Sequence, residues 1–383
     1  MITCKHSKFT LPKKVTYLNC AYMSPLLKSA EKVGIQSLRL KRNPANIIAE
    51  DFFTGGEELR KEFARLINVT DPGRIVIVPS VSYGMANVAV NLQIGRGEKI
   101  IVAAEQFPSN YYPWQRLCEE RGAVVNVISP PTELSGRGKK WNENILEAID
   151  NSTRAVAIGN VHWADGTLFQ LQAIRQRTRE VGALLIIDGT QSVGALPFDV
   201  QKIQPDALVC AGYKWLLGPY SIGLAYYGEY FDEGKPIEES WLNRMNSEDF
   251  SALVNYQAPY QRGSLRYEVG EHSNFIHVPM LAKSINQLNR WGIPNIQEYI
   301  KGISQPTIDS LKEKGYWIED ENHRSGHLFG IRLLNHNPKK IKDALQQNNI
   351  YVSFRGDAIR VAPNVYNNSN DLAKLGKVLS LPA

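Results

Sequence analysis

Between about residues 57 and 227 the chain alternates short apolar runs with stretches of helical period. The runs are 74–78 (RIVIV), 99–104 (KIIVAA), 123–128 (AVVNVI), 154–158 (RAVAI), 183–187 (ALLII), 207–210 (ALVC) and 222–227 (IGLAYY). Helical period marks 57–67, a stretch from about Gly84, then 114–121, 142–149 and 171–181. Runs this short and this apolar suit strands buried on both faces, and the intervening amphipathic helices supply the covering layers. The pattern predicts an α/β fold with a mostly parallel, seven-stranded sheet. The last two runs are separated by too little chain for a helical crossover, so one antiparallel strand is expected there.

After about residue 235 the character changes. Residues 235–271 are rich in loop formers, and helical period returns over 276–291 and 296–314. A strand over 327–334, a helix over 338–348 and strands over 351–354 and 359–361 complete the chain. Together they predict a small C-terminal α+β domain, with the boundary near residues 260–275.

Composition narrows the function classes. The net charge of +6 is scattered. Its densest cluster, Arg137-Gly138-Lys139-Lys140, lies in a stretch rich in Pro, Gly and Ser and reads as a solvated loop tip, not a nucleic-acid site. No apolar run approaches the roughly 18 residues that span a bilayer. The first residues, MITCKHSKFTLPKK, lack the apolar core of a signal peptide. The cysteines at 4, 20, 118 and 210 show neither metal-ligand spacing nor a disulfide pattern. A reducing cytoplasm is expected, with no metal.

In an open parallel sheet, ligands bind beyond the carboxyl ends of the strands. The residues there are Pro79–Gly84, Glu105–Ser109, Asn160–Trp163, Asp188–Gln191 and Gly212–Lys214. Asp188 ends the most apolar run. Alone it reads as a cap or turn residue, since Asp-Gly is common in turns; the other reading is a carboxylate holding a heterocyclic N–H⁺. Lys214, 26 residues later, reads as a snorkelling side chain or as a desolvated amine able to form a Schiff base. The serines of 80–84 suit a helix cap or a phosphate. Phe107 suits the core or a stack on a flat ring, and His162 and Trp163 are equally two-sided. The conjunction is more specific than any part. A phosphate cradle, an aromatic stacker, an Asp and a lysine at one sheet edge are the contacts that pyridoxal 5′-phosphate requires.

The segments IIDGTQSVGALPFDV and ALVCAGYKWLLGP resemble the class V aminotransferases of the fold type I pyridoxal-phosphate enzymes. This group includes cysteine desulfurases, kynureninases and isopenicillin N epimerases. The resemblance runs from YLNCAYMSP near residue 17 to IRVAPNVYNNSND near residue 371. It implies that Lys214 forms the Schiff base, Asp188 pairs with the pyridine nitrogen and Gln191 bonds the ring hydroxyl. Phe107 would stack on the ring and Trp163 would line its side. Ser82, the Val81 N–H and Tyr213 would hold the phosphate, and Arg360 would bind the substrate α-carboxylate. The domains implied are an N-terminal segment, 1–18, packing on the small domain, a cofactor domain, 19–265, and a small domain, 266–383. The resemblance also implies a homodimer with active sites near the subunit interface. RYEVGEHSN, 266–274, matches the segment that the family lends to the neighbour's phosphate, with Gly270-Glu271 where Gly-Thr is frequent.

Departures within the family bear on the reaction. A cysteine desulfurase needs a nucleophilic cysteine shortly before the C-terminal arginine, and no cysteine follows Cys210. Phe107-Pro108-Ser109 and SFRGDAIRVAPNVYN look more like kynureninase, which usually carries His where Gln191 stands. The expected activity is Cα deprotonation of a small α-amino acid by Lys214, leading to transamination. A Cβ-lyase or kynureninase-like hydrolase is the alternative. A non-catalytic relative would be marked by loss of the Asp or the lysine, and both are present. Candidate specificity positions are His162, Tyr112, Trp241, Arg262, Arg266 and His272.

Overall fold

The seven apolar runs form one sheet in the computed structural model, which describes residues 2–332 and 337–380. Its strands are β1 (Ile75–Val78), β2 (Lys99–Ala103), β3 (Val124–Ile128), β4 (Thr153–Gly159), β5 (Leu184–Asp188), β6 (Ala207–Ala211) and β7 (Gly223–Tyr227). The order is β1-β7-β6-β5-β4-β2-β3. Only β7 runs against the others, pairing antiparallel with both β6 and β1. Apart from the edge strand β3, which exposes Val124 and Val127, the sheet is buried on both sides. On β1, Ile75 and Ile77 enter one core with Leu59 and Phe63, while Val76 and Val78 enter the other with Met85 and Trp114. Alternate residues of a strand face opposite sides, which is why the runs are continuously apolar.

From β2 the chain goes outward to β3, and from β4 it proceeds the other way to β5 and β6. That reversal between β2 and β4 leaves a crevice at their carboxyl ends.

A second, three-stranded antiparallel sheet contains β8 (Phe329–Arg332), β9 (Ser353–Arg355) and β10 (Ala358–Val361), in the order β9-β10-β8. The expected strand over 327–334 is therefore shorter at its start, and Leu333 and Leu334 lie outside the described residues. Phe329, Ile331, Ile359 and Val361 pack with Leu18, Leu372 and Leu375 in a core of their own. The helix Ile293–Glu313 serves two cores: Ile293, Ile296 and Ile300 belong to that of the large sheet, Ile308 and Leu311 to that of the small one. Near the N-terminus, Thr16–Tyr17 pairs in parallel with Ile350–Tyr351. The helix His277–Trp291 packs its Val278, Leu281 and Ile285 beside Leu59 and Phe63.

One sequence expectation is corrected. Arg137-Gly138-Lys139-Lys140 is the first turn of the helix Arg137–Ala148, not a loop tip. Lys139 and Lys140 are exposed, but Arg137 and Gly138 are buried. Arg137 donates to the Asp165 carboxylate at 2.9 Å, and the Gly138 N–H donates to Glu319 Oε2 at 2.9 Å. The Pro/Gly/Ser-rich composition masks a buried ion pair formed across 28 residues.

Candidate active site

The carboxyl ends of β1, β2, β4, β5 and β6 meet at a cavity of about 280 Å³, close to the smaller ligand pockets, which begin at roughly 300 Å³. Val81, Ser82, Phe107, Trp163, Asp188, Gln191, Tyr213 and Lys214 all line it. Eight positions spread over more than 130 residues are thus brought to one place.

At one end the helix Val81–Asn91 points its N-terminus into the cavity. Ser80 caps it, its Oγ accepting from the Tyr83 N–H at 3.2 Å and lying 2.9 Å from Ser82 Oγ. The Val81 and Ser82 N–H groups belong to the first turn, where no intrahelical acceptor exists. Free N–H groups at a helix start attract an anion. Gly84 allows this approach: a Cβ there would sit 2.6 Å from Val209 Cγ1 of β6.

Lys214 follows β6 and is 6% exposed. Its Nζ lies 5.4 Å from the Phe107 ring centroid and 5.5 Å from that of Tyr213. Burial lowers its pKa to about 8, against the pull of Asp188 and with the help of Arg360 and Arg355. An amine in this state is partly neutral near physiological pH and so nucleophilic.

Asp188 ends β5, and its Oδ1 accepts from the Thr190 N–H at 3.0 Å. Burial raises its pKa, only partly offset by the Thr190 bonds and Lys214. Such a carboxylate is suited to a cationic N–H partner. Gln191 is held by both ends of its amide: Nε2 donates to Ala21 O at 3.1 Å, and Oε1 accepts from Trp215 Nε1 at 3.0 Å. Trp215 is fully buried and meets His327 edge-on at 4.5 Å. His327 Nε2 donates to the Gln191 carbonyl at 2.7 Å, and burial drops its pKa to about 4, so the ring is neutral. Trp215 and His327 are positioning residues that sequence reasoning left unassigned. Their link to Gln191 crosses 24 and 136 residues, and no local pattern announces it.

Phe107 and Trp163 meet edge to face at 5.4 Å. Trp163 Nε1 donates to Glu105 O at 2.6 Å, and its carbonyl accepts from Arg360 Nη1 at 2.9 Å. Arg360 is 1% exposed. Burial, then the neighbouring Arg355, lowers its pKa to about 9. Arg360, on the small sheet, contacts Trp163, which lines the cavity, but does not itself line it. Of the six candidate specificity positions, only His162 lines the cavity. Trp241 packs with Phe52 and Phe250, Arg266 lies over Tyr260, and His272 is buried against Glu268. In the segment 266–274, Glu268 accepts from Arg60 at 2.9 Å and from the Ile77 N–H at 3.1 Å within the same chain.

The loop after Trp163 locks the two sheets together. Asp165 accepts from Arg137 at 2.9 Å, from His162 Nδ1 at 3.1 Å and from Arg332 of β8 at 3.3 Å. Burial would raise its pKa, but His162 and Arg137 outweigh burial and hold it well below the usual carboxylate range. Gly330 N–H donates to Asp165 O at 2.8 Å. At Gly166, φ is +80° and a Cβ would lie 2.1 Å from Leu328 O, so only glycine passes. Removing the Asp165 carboxylate leaves the buried Arg137 without its ion pair, while Arg332 keeps Asp357. Asp165→Ala should lower stability by about 3–5 kcal/mol, read as a fall in the denaturant midpoint; a loss below about 1 kcal/mol, the scale of exposed pairs, would contradict this.

A family model, aminotransferase class-V, matches residues 41–369. An uncharacterized aminotransferase of Bacillus subtilis, YcbU, is 26% identical over 318 residues, 82% of this chain and 80% of the relative. A probable cysteine desulfurase of Methanothermobacter thermautotrophicus is 26% identical over 343 residues, 84% of this chain and 82% of the relative. Among solved structures, a mutant of C-DES with glycine covalently linked to its PLP cofactor superposes with a TM-score of 0.86 at 19% identity, over 99% of this chain and all of that one. The Escherichia coli cysteine desulfurase CsdA gives 0.82 at 18% identity, over 98% and 96%. At these identities the structural likenesses establish the fold.

Proposed function

The chain belongs to the class-V aminotransferase family, and from that premise we propose that it uses pyridoxal 5′-phosphate to transaminate a small α-amino acid. The observation that carries this reading is the pairing, in one cavity, of a buried lysine of lowered pKa with a carboxylate of raised pKa. Each is electrostatically costly alone, and each is suited to one end of the cofactor.

The donor set fits. Val81 N–H, Ser82 and Tyr213 would hold the phosphate at the helix start, with Ser80 fixing the turn. Asp188 would keep the ring nitrogen protonated, Gln191 would bond the ring hydroxyl, Phe107 would cover the ring face and Trp163 would flank it. When bound, the cofactor supplies an electron sink for the pair left at Cα. Lys214 would hold the cofactor through Nζ until the substrate amine displaces it, and the freed Nζ would then take the Cα proton, for which a pKa near working pH is suited. Arg360 would accept the α-carboxylate through a bidentate guanidinium.

The thiols argue against persulfide chemistry. Cys20 lies nearest Lys214, but burial pushes its pKa up to about 12, and Cys210 is likewise raised by burial. Neither is a ready nucleophile. All four cysteines are free, in keeping with a cytoplasmic protein. Exposed Ile35, Leu38, Leu40 and Ile48 support pairing with a second copy of the chain.

Incubation of the cofactor-loaded protein with an amino-acid panel tests the reaction. Keto acid appearing with the aminated cofactor, without free ammonia, is the expected result. Keto acid with ammonia and unchanged cofactor would replace transamination with elimination, and a cleaved side chain would replace it with hydrolysis.

A further inference from the structure

Three arginines share one face of the small sheet, and only one of them has counter-ions. Arg360 of β10 stands opposite Ser353 of β9 and Gly330 of β8, while Ala358, two residues earlier, stands opposite Arg355 and Arg332. Cross-strand partners share a face, as do residues two apart along a strand. Arg332, Arg355 and Arg360 therefore project to the same side. Arg332 is neutralised by Asp165 and Asp357. Among the described residues, no carboxylate pairs with Arg355 or Arg360.

Arg355 is half-buried with its hydrogen-bonding capacity largely unused. Its Nη1 donates to the adjacent Phe354 carbonyl at 2.8 Å, while its Nε is buried without an acceptor, as is the Nε of Arg360. The two guanidinium carbons lie 5.2 Å and 5.8 Å from the centroid of the same Trp163 ring. That ring lines the cavity of Lys214. A stack on tryptophan offsets part of the burial of one cation, but two uncompensated like charges at one ring repel each other and call for anions. The α-carboxylate assigned to Arg360 answers one of them.

We infer that Arg355 recognises a second oxyanion, carried on the substrate's side chain, so that the amino acid acted on is acidic. This rests on the reading of Arg360 and Lys214 given above. The guanidinium fork favours a planar, bidentate partner such as a carboxylate.

The test is a binding measurement on the cofactor-loaded protein with unreactive acids of matched length: succinate and glutarate against butyrate and valerate, titrated by calorimetry. The diacids should bind at least about tenfold tighter. Arg355→Gln should erase that preference without weakening butyrate, and Arg355→Lys should keep part of it. Equal binding of mono- and diacids to the unmodified protein overturns the inference, as does a preference that survives in Arg355→Gln. Because no turnover is read, the two readings fail separately. Absence of the bound-cofactor absorbance would count against Lys214, and an absent diacid preference would count against Arg355.

Discussion

Lys214→Ala should reduce turnover by at least about 10²–10⁴-fold, the range carried by a positioned general base, and should leave the cofactor bound without a covalent link. The loss should be visible as a changed absorbance of the bound cofactor and as its release on gel filtration. The unmodified protein supplies the control through pH. With a pKa near 8, the fraction of neutral Nζ rises about tenfold per pH unit below that value and levels above it. The rate at which cofactor-free protein captures the cofactor should follow the same curve. Stability of the cofactor-free protein carries the same signature. Between about pH 8 and the ordinary lysine value of 10.5, the unfolded chain holds a proton that the folded chain has released, so the Lys214 contribution to stability rises with pH, against the opposite slope of the buried thiols Cys20 and Cys210. In Lys214→Ala this contribution should vanish. A variant that retains turnover within tenfold would remove Lys214 from the chemistry.

Asp188→Asn should act in opposite directions on stability and on catalysis. With the cofactor bound, the variant cannot hold the ring nitrogen protonated, and turnover should fall by about 10²–10³-fold, as for loss of one preorganised electrostatic contact. Without the cofactor, the variant removes a buried charge whose described hydrogen bond is to Thr190, and should be at least as stable as the original protein at neutral pH. The pH dependence separates the two. Because the folded pKa of Asp188 is raised, the folded state keeps its proton longer than the unfolded state. The Asp188 contribution to the stability of the cofactor-free protein therefore falls as pH rises from the ordinary value of 3.8 through the raised one, opposite in sign to that of Asp165. The amide of the variant has no proton to lose in this range and should give a flatter profile. A variant that is less stable at pH 7 yet fully active would invert this account of the site.

The fold was legible wherever burial on two faces writes itself as an uninterrupted apolar run. Strands β1, β2 and β4 to β7 follow that rule, while the edge strand β3 exposes Val124 and Val127; the residues just past the strands, including Asp188 and Lys214, were placed by the general position of ligands at strand ends. What the sequence hid was pairing at a distance. Arg137 sits among loop-forming residues, and its partner Asp165 stands far along the chain. Trp215 is equally explained by packing and by the site from sequence alone; it is buried, and its indole N–H fixes Gln191. Arg355 occupies an ordinary strand position. Its interest lies in what fails to reach it, and an absent counter-ion has no local signature.

The helix Ile293–Glu313 belongs to two cores at once, and Pro306 lies inside it. Proline cannot donate, so the Gly302 carbonyl loses its helical partner and the rod bends most cheaply between Ile300 and Ile308. Asp165 pins β8 by its backbone and its carboxylate together. The two sheets are thus joined at Asp165 and spanned by a helix whose hydrogen-bond ladder is interrupted at Pro306. Lys214 stands on the large sheet and Arg355 with Arg360 on the small one, so their spacing depends on a joint, Asp165, that does not itself line the cavity.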